Sequence, residues 1–409
     1  MPLLQKIAYL LYLLLFATLA FSVFYLFVLS LAGRLRRGRP ARIAGTPKNN
    51  IAVMVAAYKE DGIILSTAKN LRGLDYPRDL FTVYILADSF QPETVQQLRQ
   101  QQVEVLEMVF EKSTKAKSLN SAFARISRHH DIVLICDADN ILENDFLRKI
   151  DGEFAAGERA VQGKRVAKNL DSPFAILDAC SEAIGNHIFR KGSNALGLSS
   201  SVIGSGMAFD FAEMKQIMGE IDATGGFDKI LQLKVVERGH SIRYLDDGII
   251  YDEKIGNSKA FSNQRKRWVS SQHQYLKKFF GPSLRQLLRG KVNYFNLGIL
   301  HNFVPPRSFL FVLLPMLVLL SFFVQPAVYW AGASALLLVL FLLSMMMGVP
   351  ASLVNRDLLR ALAALPRAVF IMFGTLLHLK KANKTFIHTV HTKTEVSNPV
   401  LKNTTNSKV

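Results

Sequence analysis

Long uncharged runs flank this chain's middle, where shorter apolar segments alternate with polar ones. From Ile7 to Gly33 no charged residue occurs. A helix needs roughly 20 apolar residues to cross a bilayer, so this run predicts a membrane anchor. It is too long for a signal-peptide core, and the one base ahead of it is Lys6. The basic stretch RLRRGRPAR at 34–42 comes directly after it. The positive-inside rule places that flank, and the segments C-terminal to it, in the cytoplasm. A second uncharged run, 308–355, is interrupted by Pro315 and by Gln325-Pro326. It predicts two spans with a tight turn near Gln325. A third stretch, 361–379, contains Pro366 and Arg367. It fits either a span or a helix lying in the interface.

Between these segments the pattern changes. IAVMVAA (51–57), FTVYILAD (81–88) and DIVLICDAD (131–139) are short apolar runs, with a weaker one at 103–110. Helix-like segments at 60–73, 92–101 and 115–128 separate them. Near-continuous apolar strands alternating with helices predict an α/β fold whose parallel sheet is covered on both faces. Ligands bind such sheets beyond the carboxyl ends of the strands. Polar residues stand at those ends: Tyr58 and Glu60, then Asp88, then Asp137 and Asp139.

Composition narrows the partners. Lys plus Arg is 50 against 32 Asp plus Glu, a formal net charge of +18. That balance suits an anionic partner: nucleic acid, acidic lipid or a phosphorylated substrate. Nothing resembles a nucleic-acid module, because the bases are not gathered on one face interleaved with aromatics. The two cysteines, Cys136 and Cys180, exclude a disulfide framework or a CxxC metal site. They are expected to be reduced and buried. The tail after Lys380 is basic and polar and is expected to fray.

Four stretches carry candidate chemistry. In CDADN, Asp137 and Asp139 are two apart on a predicted strand and so share a face. Two carboxylates that close need a cation or a proton between them. Oxygen ligands suit Mg²⁺ or Mn²⁺, although lone acid pairs are often plain surface residues. In TGGFDK, Asp228 comes after two glycines and opens a helix, as an N-cap or as a general base. Gly204, Ser205 and Gly206 form either a tight turn or a backbone that lets a substrate approach closely. In QRKRW, Gln264, Arg267 and Trp268 share a helix face. They could hold a diphosphate and stack on a sugar, or form an interfacial helix with a tryptophan anchor.

Together these stretches resemble the membrane-integrated glycosyltransferases of family 2, which include the synthases of cellulose, hyaluronan, chitin and poly-N-acetylglucosamine. VAAYKE (55–60) looks like the first-strand nucleotide motif, ILADSF (85–90) the strand ending in a uracil-binding acid, and KAKSLNSA (115–122) the Lys-Gly-x-Ala-Leu-Asn segment. DADN is similar to the DxD motif, GSGM to an acceptor-side loop, GFD to the Thr-Glu-Asp motif and QRKRW to Gln-x-x-Arg-Trp. The departures are Phe227, where an acid usually precedes the base, and Ala87 and Ala116 in the nucleotide site.

The resemblance implies a nucleotide-diphospho-sugar transferase (GT-A, Rossmann-like) domain with flanking transmembrane and interfacial helices. Its implied divisions begin with an anchor at 1–33, a basic cytoplasmic linker at 34–50 and the catalytic domain at 51–280. Beyond these lie an interfacial amphipathic segment at 281–306, C-terminal membrane helices at 307–379 and a basic tail at 380–409. It implies a donor site of Ala57, Tyr58, Glu60, Asp88, Lys115, Asp137, Gln264 and Arg267. Asp139, with Asp137, would hold Mg²⁺ or Mn²⁺. Asp228 would be the base, Glu253 a weaker candidate near it, and Gly204, Ser205, Gly206 and Trp268 would meet the acceptor. The reaction expected is an inverting transfer from a UDP-sugar to a growing polysaccharide at a bacterial inner (plasma) membrane, with the catalytic domain cytoplasmic. The expected partners are the donor, a carbohydrate or lipid-linked acceptor, membrane lipids, and a partner subunit or second copy. Two rival readings stand beside it: a single transfer onto a lipid or lipid-linked acceptor, and a non-catalytic nucleotide-binding regulator, at which only Phe227 hints.

Overall fold

The computed structural model describes residues 3–36, 38–221, 225–256, 258–363, 366 and 391–398. In chain order the first elements are α1 (Leu3–Leu35), β1 (Ile51–Tyr58), α2 (Ile64–Arg72), β2 (Phe81–Asp88), α3 (Pro92–Gln100), β3 (Glu104–Met108), α4 (Lys115–Arg125) and β4 (Ile132–Asp137). Then come β5 (Ile141–Leu142), α5 (Phe146–Ala155), β6 (Ala160–Ala167), α6 (Pro173–Gly185), a π-helical turn (Asn186–Gly192), α7 (Ser193–Ala195), β7 (Met207–Asp210), α8 (Phe211–Gly219), α9 (Phe227–Glu237) and β8 (Arg243–Asp252). The chain continues with α10 (Ser258–Leu288), α11 (Val292–Phe295), a second π-helical turn (Asn296–Leu300), α12 (His301–Phe303), α13 (Arg307–Ser321), α14 (Ala327–Gly348) and α15 (Arg356–Leu362).

Among the described residues eight strands form one sheet in the order β3-β2-β1-β4-β7-β6-β8-β5. β1 pairs in parallel with β2 and β4, and β2 with β3, as the apolar runs predict. Their side chains divide between two cores: Ile51, Val53 and Val55 pack on one face, Ala52 and Met54 on the other. Burial on both faces is why these runs read as continuous apolar segments. The second half of the sheet departs from the all-parallel expectation. β7 runs antiparallel to β4 and β6, and β5 antiparallel to β8. β7 begins right after the Gly204–Gly206 turn and so starts at the carboxyl edge where β4 ends. A strand entering there can only run back.

A second difference concerns Asp139. β4 ends at Asp137, because Asn140 closes a turn around it. Asn140 Oδ1 accepts the Asp137 N–H at 3.0 Å, and the Asn140 N–H donates to the Asp137 carbonyl at 3.2 Å. Asp139 lies in that turn, so the same-face rule for a strand does not apply to the pair.

α1 and α14 are long and apolar enough to cross a membrane. α13 passes that test only with the preceding Val292–Phe303 segment, to which it is bent by 60°. Of the two spans expected in 308–355, α14 alone has the length, and α13, at 15 residues, falls short by itself. α1, α13 and α14 share a core that includes Leu26, Leu314 and Phe341. Ile188 of the first π turn joins this core, and His187 Nε2 lies 2.8 Å from the Ser30 carbonyl of α1. The apolar helices α1, α13 and α14 thus seat directly against the segment that follows α6. α10 runs through residue 280, where the sequence pattern suggests a domain boundary. Most of the 361–379 stretch lies outside the described residues. Both cysteines are free and buried, as expected.

Candidate active site

The carboxyl ends of β1, β2 and β4 bring the predicted donor residues to one edge. Tyr58 and Asp88 are opposite one another in the β1–β2 register, and Ala57 is buried beside Ala87. The next residues, Lys59 and Ser89, both adopt left-handed backbone, with φ of 54° and 60°. Non-glycine residues take that conformation rarely, and it concentrates at functional edges. Asp88 is 1% exposed; Ser89 Oγ donates to its Oδ1 at 2.9 Å, and its Oδ2 is buried without a partner. A buried, half-satisfied carboxylate is costly unless a ligand completes it.

Lys115, the first residue of α4, links several parts of the site. The Thr114 side chain caps that helix, accepting the Lys117 N–H. Lys115 Nζ donates to Asp137 Oδ1 and to the Gly204 carbonyl, the latter at 2.7 Å. It also stands 5.9 Å from the centre of the Phe227 ring. Burial alone would raise the Asp137 carboxyl. The Lys115 charge and hydrogen bond, with Arg165 and His391 further off, outweigh it and hold Asp137 below the usual carboxylate value.

The GSG turn is held from beneath. Gln162 Nε2 donates to the Ser205 carbonyl at 3.0 Å, and Gln162 Oε1 accepts the Ile203 N–H at 3.0 Å. Gly206 has φ of 59°, and a Cβ there would come within 2.1 Å of Ile250 Cδ1. Only glycine fits that position.

Asp228 is not the N-cap, one of the two roles its sequence position allows. Gly226 takes that position in left-handed backbone with φ of 65°, and no side chain caps the helix. A Cβ on Gly226 would meet Tyr275 of α10 at 2.8 Å, and Tyr275 Oη donates to the Gly225 carbonyl at 2.7 Å. This turn leaves Asp228 part-exposed in the first turn of α9, where the helix dipole favours its anion. Burial and then Asp228 push the Tyr275 hydroxyl up to about 12.

On α10, Gln264, Trp268, Ser271 and Tyr275 keep helical spacing along one face, and the last two border Gly226. Gln264 Oε1 is buried without a partner, and Trp268 is 46% exposed. The side chain of Arg267 lies outside the described residues.

Asp139 is 4% exposed. Its Oδ2 accepts the Glu253 N–H at 2.7 Å and its Oδ1 the Asn140 amide at 3.3 Å. Two bonds leave a carboxylate with spare lone pairs. Among the described residues no group of three or more His, Cys, Asp or Glu could hold a metal ion. Mg²⁺ does not require one, since it uses one or two carboxylates and completes its shell with water and substrate phosphate. The donor set therefore fits a hard divalent ion.

One part of the site has no signal in the sequence. Residues 391–398 do not fray; they cross the carboxyl edge of the sheet. His391 Nδ1 donates to Glu60 Oε1 at 2.8 Å. The Thr392 and Lys393 N–H groups donate to the Glu253 carboxylate at 3.0 and 2.8 Å. Ser397 N donates to the Lys168 carbonyl at 2.9 Å, and Asn398 Nδ2 to the Ala167 carbonyl at 2.9 Å. Burial alone would lower His391, but the Glu60 hydrogen bond and the charges of Asp139, Glu60 and Glu253 raise it to about 9. Glu253, a weak candidate from sequence, is thus the anchor of this strap. Its neighbours Asp252 and Lys254 point into a buried ion cluster with Arg165 and Glu182, where Arg165 Nε lies 2.9 Å from Glu182 Oε1. No periodicity or motif in the polar tail announces this docking.

A mixed sheet with acids just beyond or at its β1, β2 and β4 ends, and a further acid in the first turn of a helix, is the arrangement of the GT-A nucleotide-sugar transferases. The family model described as "Glycosyltransferase like family 2" matches residues 47–271, more than half of the chain, and the chain belongs to that family. The probable glycosyltransferase YdaM of Bacillus subtilis is 24% identical over 243 residues, 56% of this chain and 56% of that protein. A beta-monoglucosyldiacylglycerol synthase of Synechocystis is 26% identical over 235 residues, 56% of this chain and 49% of that protein. The chain spans about half the length of the curated relatives it matches. Among solved structures, a mannosyltransferase from Pyrobaculum calidifontis in complex with GDP-Man and Mn²⁺ covers 81% of this chain and 99% of its own, at 18% identity and a TM-score of 0.49. The family match reaches family 2 at large and does not single out the polymer synthases.

Proposed function

We propose that this protein is a membrane-anchored, inverting glycosyltransferase that moves a sugar from a nucleotide-sugar, on the motifs a UDP-sugar, to the hydroxyl of a lipid acceptor. The observation that carries it is Lys115. This one side chain touches the donor-edge acid Asp137, the acceptor-side loop at Gly204 and the ring of Phe227 beside Asp228. The segments read as donor edge and acceptor loop therefore meet at Lys115, with the Phe227 ring centre 5.9 Å away. The named lipid glucosyltransferases among the relatives favour a lipid over the growing polysaccharide that the motifs suggest.

The nucleoside would lie against Ala57, Tyr58 and Glu60, with the unsatisfied Asp88 oxygen receiving one of its hydrogen-bond donors. Lys115 and Arg267 would face the diphosphate and neutralise charge on the leaving group. Asp139, with Asp137 beside it, would hold Mg²⁺ or Mn²⁺, which supplies Lewis-acid charge on the diphosphate. Asp228 takes the acceptor proton as the hydroxyl oxygen bonds to the anomeric carbon. The bond from that carbon to the diphosphate breaks, and the nucleotide leaves with the electron pair. One displacement from the opposite side inverts the centre. Trp268 and the GSG turn would frame the acceptor.

The test is release of UDP by purified protein in detergent across a panel of UDP-sugars, with Mg²⁺ or Mn²⁺ and with or without diacylglycerol and phospholipids. A glycolipid as the sole sugar-bearing product is expected. A long polymer without lipid would return the assignment to a polysaccharide synthase. Tight UDP binding without turnover would leave only the regulator.

A further inference from the structure

Between Asp228 and the membrane helices lies a second cluster that the transfer chemistry above does not use. It is bordered by the two π-helical turns, Asn186–Gly192 and Asn296–Leu300. Such turns are rare and concentrate at functional sites. Arg190, on the first, is 8% exposed. Its Nη1 donates to Asn186 Oδ1 at 2.9 Å and its Nε is buried without a partner. Asn296, on the second, is 1% exposed; its Oδ1 accepts the Tyr25 hydroxyl of α1 at 2.7 Å, and its Nδ2 is left over. His301 is 8% exposed with an unpartnered Nε2, and its ring stands 4.9 Å from that of Phe189.

Arg307 approaches the same place. Its guanidinium lies over Phe189 at 5.9 Å. A Cβ built on Gly185 would have Arg190 Nη1 at 3.5 Å and Arg307 Nη2 at 3.6 Å. Two guanidinium groups thus converge on a residue that has no side chain to fill the space. Lys229 is within electrostatic reach of both Arg190 and Asp228. Glu182, the carboxylate acting most strongly on Arg190, is engaged by Arg165 and Lys254. Burial lowers the Arg190 guanidinium to about 10. A buried cation whose carboxylates, Glu182 and then Asp228, are shared with other cations is expensive, and a bound anion would relieve it.

We propose that this cluster binds the phosphate of an anionic phospholipid and that this lipid is the acceptor, its head-group hydroxyl turned toward Asp228. The inference rests on the lipid-transferase reading and names its substrate class. Position identifies the lipid as the source. Arg307 opens the apolar helix α13, Tyr25 belongs to α1, and Ile188 packs in the membrane-helix core. A phosphate held here has its acyl chains in the bilayer. Fork-shaped guanidinium groups suit phosphate oxygens. The phosphate itself is not the nucleophile. An ionised phosphate needs no base and would be repelled by the Asp228 carboxylate, whereas a hydroxyl needs that base. The acceptor is therefore a phosphodiester lipid carrying an alcohol.

The test compares vesicles of neutral lipid doped with phosphatidylglycerol, diacylglycerol or phosphatidic acid, using the full chain and its UDP-sugar. Phosphatidylglycerol should be glycosylated with a KM about tenfold below that of diacylglycerol, the difference one charged hydrogen-bonded contact makes. Phosphatidic acid should compete without being glycosylated. Arg190→Gln should raise the KM for phosphatidylglycerol about tenfold and Arg190→Lys recover part of it, with UDP binding on the same samples reporting the fold. Arg307→Gln is the second variant should the first not fold. Equal KM values for phosphatidylglycerol and diacylglycerol, with no competition by phosphatidic acid, would overturn the inference and leave the lipid-transferase reading standing. Inhibition by inorganic phosphate as strong as by phosphatidic acid would overturn the lipid source. A polymer product would overturn both readings.

Discussion

His391 and Glu60 are 331 positions apart in the chain, yet His391 Nδ1 donates to the Glu60 carboxylate at 2.8 Å. The contact closes the carboxyl edge of β1 with a segment from beyond α13 and α14. His391→Ala should therefore loosen 391–398, seen as faster amide exchange, and raise the KM for the donor. Unchanged exchange in the variant would mean the strap is held without this pair. The pH dependence has a definite sign. The folded imidazole is raised from an ordinary 6.5 to about 9. Its contribution is complete below about 6.5 and lost as pH rises through about 9. Protection of the strap should fade over that alkaline window, not in acid.

Asp228 stands alone as the proposed base. Asp228→Asn keeps the size of the side chain and removes its basicity. Turnover should drop roughly 10²–10⁴-fold, while UDP binding by calorimetry stays within about twofold. Retained turnover would move the base elsewhere.

Chelation separates the roles of the two acids at the end of β4. EDTA should abolish turnover, and Mn²⁺ or Mg²⁺ should restore it. Asp139→Asn should raise the metal concentration giving half-maximal rate. Lys115 also holds Asp137, so Asp137→Asn should raise donor KM as well as the metal concentration needed. Turnover that survives chelation would remove the metal from the mechanism.

Gly226→Ala tests the turn that presents the base. The left-handed backbone alone costs about 1–2 kcal/mol in a residue with a Cβ, and Tyr275 lies 2.8 Å from the Cβ position. The variant should melt several degrees lower and lose kcat more than donor affinity, because α9 must shift. An unchanged melting temperature and kcat would show that the turn tolerates a side chain.

Local patterning determined much of this protein. Strands β1, β2 and β4 were legible because both their faces are buried, which forces apolar runs whatever the rest of the chain does. α1 and α14 were legible as candidate spans because crossing lipid demands length and the absence of charge. Most of the candidate site residues sit at ends of such elements, where a polar residue after an apolar run is itself a signal. Other features depended on contacts between distant segments. The turn that takes Asp139 off its strand depends on Asn140 closing on Asp137. Whether Asp228 caps its helix depends on Tyr275 filling the space at Gly226. The direction of β7, the docking of His391 on Glu60 and the meeting of Arg190 with Arg307 have no counterpart in periodicity. Hydrophobic period reports which face of an element is buried, whereas a hydrogen bond or a convergence of charges across hundreds of positions exists only once the chain has closed on itself.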